Sequence, residues 1–167
     1  MADAGPLVGL ARIGLLGILR DLYREILIPP RVFDELRVAE SRPGSRALLE
    51  AVRAEWLLQV APEPAEDLQG LRLLVDPGEA EAIILALQKG SRFLLIDDKQ
   101  GRALARSRGL RIVGTGGVLL SAKEHKLIER VSPVLDRLTA CGYRLAVGLK
   151  RKILELAGET VTGPEEP

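Results

Sequence analysis

Asp3, Glu35, Glu79 and Asp97 are the residues of this chain whose type and placement suit chemistry. Each falls at the end or start of an expected strand or helix. Carboxylates brought together repel, so four of them stay clustered only where a bound cation or shared protons offset the repulsion. That is the chemistry of a hard-metal site. The absent residues narrow it further. One histidine, His125, and one cysteine, Cys141, make neither a zinc site of nitrogen and sulfur ligands nor a disulfide framework. No serine sits in a G-x-S-x-G elbow, and Gly114-Thr115-Gly116-Gly117 lacks the lysine of a phosphate loop. Oxygen ligands remain, and these favour Mg²⁺ or Mn²⁺.

The elements that must position these acids alternate along the chain. Pro6 suits the first turn of a helix over 6–23, followed by a strand over 25–28 that Pro29-Pro30 stops. Helices are expected over 31–40 and, capped by Ser45, over 45–55, then a strand over 56–60. A loop rich in proline and acid, 61–67, leads through a short apolar segment to a helix over 77–89. The apolar run 93–96 reads as a strand buried on both faces. A helix over 99–108, a strand over 110–113 and helices near 117–125, 131–141 and 147–157 complete the series. Such alternation implies an α/β fold, a single domain with a central parallel sheet and helices on both faces, because parallel neighbours need crossover connections. Residues 1–158 are read as this domain and 159–167 as a disordered tail. Ligands of such sheets bind outside the carboxyl ends of the strands. Asp3 and Asp97 stand there, and Glu35 and Glu79 lie in helices that follow connecting loops.

With 167 residues, 47% of them apolar, the chain suits one α/β core, and at 3% aromatic content that core is aliphatic. The unpaired cysteine fits a reducing compartment. No charged-then-apolar leader opens the chain and no apolar run approaches the roughly 20 residues of a membrane span, so a soluble, cytoplasmic protein without a membrane partner is expected. The net charge of +1 conceals a polarity: residues 1–98 hold 11 Lys/Arg against 16 Asp/Glu, and residues 99–152 hold 13 against 3. A basic part beside an acidic cluster suits a metal nuclease, in which cations hold phosphates while the metal acts on one of them. A solvated, arginine-rich helical surface gives the same count.

Five segments, in order, carry a family resemblance. Asp3-Ala4-Gly5-Pro6-Leu7-Val8, Ile28-Pro29-Pro30-Arg31-Val32-Phe33-Asp34-Glu35-Leu36, Asp76-Pro77-Gly78-Glu79-Ala80-Glu81-Ala82-Ile83, Leu94-Leu95-Ile96-Asp97-Asp98-Lys99 and Gly114-Thr115-Gly116-Gly117-Val118-Leu119-Leu120 resemble the motifs of the PIN-domain nucleases, in particular a prokaryotic branch related to VapC-type toxins. The resemblance implies a Mg²⁺- or Mn²⁺-dependent ribonuclease acting on single-stranded RNA, the toxin of a toxin–antitoxin pair with a small antitoxin protein as partner. Asp3, Glu79 and Asp97 would be metal ligands, and Glu35 an outer carboxylate that orients water or a second ion. Lys99, Arg102 and Thr115 are candidate substrate-binding residues. A homodimer is also implied, with Leu7, Leu10 and Ile13 as its candidate surface. In the related toxins the helix acid precedes an alanine by seven residues and the strand-end aspartate by eighteen; Glu79 has that relation to Ala86 and Asp97. Glu81 lies about 200° away around the helix and is not expected in the site. Gly5 replaces the family's usual serine, and only Met1 and Ala2 precede Asp3, so the strand carrying it is expected to be short.

Each acid also has a plainer role. Glu79 completes a capping box with Asp76, and either Asp97 or Asp98 caps the following helix, with Asp98 the expected cap. Two other functions stay open: a PIN-like module that binds RNA or protein without cutting, and a metal-dependent phosphatase on a similar sheet.

Overall fold

The structure is a computed structural model and describes residues 1–159 of the 167. Four short strands, β1 (Ile26–Ile28), β2 (Leu57–Gln59), β3 (Leu94–Leu95) and β4 (Ile112–Val113), pair in parallel as β1 with β2 and β3 with β4. Residues 1–3 join the two pairs. The Ala2 N–H donates to Leu27 O at 3.1 Å, the Leu95 N–H to Met1 O at 2.9 Å and the Asp3 N–H to Leu95 O at 2.9 Å. The short strand expected there is thus a single parallel bridge, Ala2 with Leu95. It lies at the centre of the sheet and points Asp3 out of its carboxyl end. This is an α/β fold with a parallel sheet.

Ten helices surround the strands among the described residues: α1 (Ala4–Arg12), α2 (Gly17–Tyr23), α3 (Pro30–Leu36), α4 (Ser45–Arg53), α5 (Asp67–Leu71), α6 (Pro77–Gln88), α7 (Lys99–Ser107), α8 (Thr115–Glu124), α9 (Ser132–Ala140) and α10 (Val147–Leu156). Several differ from the sequence reading. The helix expected over 6–23 is two, because Gly14 adopts φ +73°, a left-handed turn that breaks the ladder. The helix expected over 31–40 stops at Leu36, where Arg37 turns left-handed. Ser45 lies inside α4, behind Gly44 as N-cap, and the apolar segment before α6 contains the short helix α5. Among the described residues no helix is long and apolar enough to cross a membrane.

The core is aliphatic, as the composition requires, with Leu7, Leu19, Ile28, Ile83, Leu94 and Leu95 fully buried. Leu7, Leu10 and Ile13 belong to it. Their apolar stripe packs inward within one copy of the chain, which corrects its assignment as a dimer surface: the apolar area is already removed from water by α1's own neighbours.

Glu159 stands at the junction with residues 160–167, which lie outside the described residues together with the rest of the expected tail. Its carboxylate accepts from Lys123 Nζ at 2.7 Å, from the Val131 N–H at 2.7 Å and from the Ser132 N–H at 2.8 Å. It therefore pins the end of α10 to α8 and to the start of α9. Burial opposes its charge, but the Lys123 ammonium and the two N–H donors outweigh burial and hold its carboxyl at about 2. Glu159→Gln is expected to destabilise the fold by about 1.5–3 kcal/mol, the range for hydrogen bonds to a charged group. Because the folded carboxyl lies below its ordinary value, this stabilisation is present above about pH 4.5 and is lost as the pH falls towards about 2. Denaturant melts of parent and variant at pH 7 and pH 3 check it: the gap narrows at pH 3.

Candidate functional site

Four sequence features converge at the carboxyl end of the sheet. Asp3 leaves the central bridge as the N-cap of α1, its Oδ2 accepting the Gly5 N–H at 3.4 Å. Burial pushes its carboxyl up, helped by Asp97 and Asp76 and opposed by the N–H groups of Ala4 and Gly5. Glu79 is in the first turn of α6, whose N-cap is Asp76 with its Oδ1 on the Gly78 N–H at 2.9 Å. Burial raises the Glu79 carboxyl to about 7, with Asp3, Asp98 and Asp76 pushing the same way; the Asp76 N–H pulls back, so Glu79 is at once a capping partner and a neighbour of the other acids. Glu35, at the end of α3, is raised to about 7 by burial and then by Asp76 and Asp3. Asp97 follows β3, and Asp3 and Tyr143 both feel its charge. The four expected acids therefore share one electrostatic neighbourhood, joined by Asp76 and Asp98.

Glycines make room for the carboxylates. A Cβ at Gly101 would stand 3.0 Å from Glu79 Oε2, one at Gly114 would stand 2.8 Å from Asp97 Oδ1, and one at Gly78 would run into the Glu35 carboxylate. At Gly5, where the resemblance calls for serine, a Cβ would meet Asp3 Oδ2 at an ordinary 3.6 Å. The fold thus admits a serine there.

Asp98 is the N-cap of α7, its Oδ1 accepting the N–H groups of Gln100 and Gly101 at 2.7 and 2.9 Å. Asp97, freed from capping, turns to α8. Its Oδ1 accepts the Thr115 N–H at 2.9 Å and its Oδ2 accepts the Thr115 hydroxyl at 2.6 Å. A second hydroxyl, that of Tyr143, also donates to Oδ2. Tyr143 was not among the residues singled out from sequence. It lies 46 positions from Asp97, and no local motif marks it. Glu81, as expected, faces elsewhere: its carboxylate binds Arg72 Nη2 at 2.8 Å and the Arg31 N–H at 3.2 Å. Among the described residues, the side chains of His125 and Cys141 hydrogen-bond only within their own helix ends.

Beside Asp97 opens a groove of about 900 Å³. Lys99, Arg102, Arg106 and Lys152 supply its positive charge and Leu149 and Ile153 part of its apolar wall. Lys99 and Arg102 thus line the same groove as Asp97. Arg102 is anchored by a bond of 3.1 Å from Nη1 to Ile96 O, which sets its guanidinium at the mouth of the site.

The donor set would suit a hard divalent cation: it is all carboxylate, it is relieved of Cβ crowding by glycine, and Asp3, Glu35 and Glu79 are pushed towards protonation first by burial and then by neighbouring acids. Among the described residues no three acidic, imidazole or thiol side chains already stand in a metal-holding arrangement.

A family model described as a PIN domain matches residues 1–159, nearly the whole chain. The chain belongs to the PIN-domain family. No curated protein and no solved structure matches it significantly. PIN domains are typically divalent-metal-dependent nucleases that act on nucleic acids, so nuclease is the coarse activity of this PIN domain.

Proposed function

We propose that this PIN domain is a Mg²⁺- or Mn²⁺-dependent ribonuclease that hydrolyses phosphodiester bonds of single-stranded RNA, acting as the toxin of a toxin–antitoxin pair with a small antitoxin protein as its partner. The observation that carries the chemistry is the convergence of Asp3, Glu35, Glu79 and Asp97 beside a cationic groove. Asp3, Glu79 and Asp97 would hold the metal, which when bound supplies charge neutralisation at the scissile phosphate and a more acidic water. Glu35, more exposed than Glu79 and raised to about 7, is suited to orient water and to accept or return a proton near neutrality. Lys99, Arg102 and Arg106 hold neighbouring phosphates, and Thr115 fixes Asp97. The choice of RNA over DNA and the toxin role rest on the motif resemblance.

The direct test is cleavage of a labelled single-stranded RNA by purified protein in Mn²⁺ or Mg²⁺, with a chelator arm and a phosphomonoester arm. Metal-dependent RNA cleavage with no phosphomonoester hydrolysis supports the proposal. RNA binding without cleavage in either metal favours the binding module, and phosphomonoester turnover favours the phosphatase. Binding should weaken as salt rises, because phosphate contacts release counterions.

A further inference from the structure

We propose that Tyr143 is a positioning residue for Asp97: seated against Gly9, it occupies Oδ2 together with Thr115 and leaves Oδ1 as the oxygen that Asp97 offers to a divalent cation. The inference rests on the metal-site reading above and goes beyond it by naming the lock and the ligating atom.

The local chain delivers Tyr143 by a defined turn. At the end of α9, Gly142 adopts φ +87° and its N–H donates to Thr139 O at 3.0 Å, while the Tyr143 N–H donates to Leu138 O at 2.9 Å. This pair of bonds is a Schellman motif, which ends the helix and reverses the chain. The reversed segment is tied to α1, since Arg12 Nη1 donates to Cys141 O at 3.3 Å and Arg137 to Ile13 O. The ring then lies on α1 at the one place where it fits: a Cβ on Gly9 would stand 2.7 Å from both Cδ2 and Cε2 of Tyr143. Gly9 costs α1 helix propensity, and the seat for the ring is what it supplies. From that seat the hydroxyl reaches Asp97 Oδ2 and lies 3.0 Å from Thr115 Oγ1.

A carboxylate oxygen has two lone-pair directions. Two hydroxyls use both of them at Oδ2, whereas Oδ1 accepts only the Thr115 N–H. A free lone pair therefore remains on Oδ1, which shares the space beside Gly114 with Arg102 Nη1: a Cβ there would stand 2.8 Å from the oxygen and 2.5 Å from the guanidinium nitrogen. Single-oxygen ligation suits Mg²⁺ and Mn²⁺; two-oxygen ligation is a habit of the larger Ca²⁺. The lock thus sets cation preference as well as affinity.

The experiment measures Mn²⁺ binding to the full chain by electron paramagnetic resonance, and Ca²⁺ by its competition with Mn²⁺, for the parent, Tyr143→Phe, Gly9→Ala and Asp97→Asn. Losing a hydrogen bond that orients a metal ligand typically weakens binding about 10- to 100-fold. Tyr143→Phe should weaken Mn²⁺ by about that factor and raise Ca²⁺ affinity relative to Mn²⁺, with unchanged circular dichroism. Gly9→Ala, a better helix former that displaces the ring, should do the same, which a general loss of folding would not mimic. If Asp97→Asn loses Mn²⁺ while both other variants match the parent in affinity and in Ca²⁺ preference, the Tyr143 lock is wrong and the metal site stands. If the parent itself binds no Mn²⁺, or Asp97→Asn binds as the parent does, both readings fall.

Discussion

Asp3→Asn, Glu79→Gln and Asp97→Asn are each expected to lower RNA cleavage by more than about 100-fold while leaving the fold intact. That factor is the upper end for removing a group that only orients a metal ligand, and direct ligands should exceed it. The geometry says why the fold survives. In Asp97→Asn the amide oxygen still accepts the Thr115 N–H, and the hydroxyls of Thr115 and Tyr143 turn from donating to accepting at the new NH₂. At Asp3 the amide oxygen still accepts the Gly5 N–H. What each variant loses is a carboxyl from a cluster whose members raise one another's pKa. Glu81→Gln is the control: it disturbs the pair with Arg72, lowers stability and leaves cleavage in place. Single-turnover assays with circular dichroism on each variant decide the matter. Three acid variants that cut at the parental rate would mean a contaminating nuclease or a site elsewhere.

The second large effect is on stability, and its sign depends on pH and metal. Glu35 and Glu79 are raised from 4.5 to about 7 in the folded chain. Carboxyls raised on folding bind more protons folded than unfolded between those values, so their contribution is favourable below about pH 4.5 and is lost as the pH rises through about 7. Metal-free protein should therefore melt at lower temperature at pH 8 than at pH 5.5. A divalent cation reverses the trend, because it binds the ionised carboxylates and only in the native state. At 100 times its dissociation constant it adds about 2.7 kcal/mol. Glu79→Gln should stabilise the metal-free chain at pH 8 by on the order of 1–2 kcal/mol, since one pKa unit corresponds to about 1.4 kcal/mol and the acids share the effect. The same change should abolish the response to Mn²⁺. Thermal melts at both pH values, with and without millimolar Mn²⁺, read all of this. A parent that ignores the metal and melts equally at both pH values would sink the cluster as a cation site.

Much of the architecture was legible because it is written locally. Asp76-Pro77 fixed the start of α6, Asp98 capped α7 and left Asp97 free, and the continuous apolar run around Leu94 marked a strand buried on both faces. The errors came where a backbone angle or a distant partner decides. Gly14 inside an amphipathic pattern gave no sign that it would turn left-handed, and nothing local marks Arg37 as doing so. The stripe of Leu7, Leu10 and Ile13 looked unpaired because its cover comes from segments far along the chain; α4, α3 and α9 all pack on α1. Around the candidate site, the acids could be picked out because they fall in motifs that resemble those of the PIN-domain family. Tyr143 could not, because its role depends on a helix end folding back over Gly9, which is a fact about two helices and not about a motif.

The pairing of residues 1–3 leads us to expect a folding order. Pairing β1 with β2 closes a connection of about 30 residues, and β3 with β4 one of about 20, so each half of the sheet forms from fairly local contacts. The bridge from Ala2 to Leu95 spans 93 positions and, together with the bond from the Ala2 N–H to Leu27 O, joins the halves among the described residues. Long-range pairings of this kind come late and slow a folding reaction. Asp3 hangs on that bridge, so the last strand contact to form is also the one that carries the first acid to the others. During synthesis the two halves can take shape separately and stay chemically inert. The acid cluster is then expected to assemble in a single closure, after Leu95 has emerged and the sheet has zipped shut through its middle.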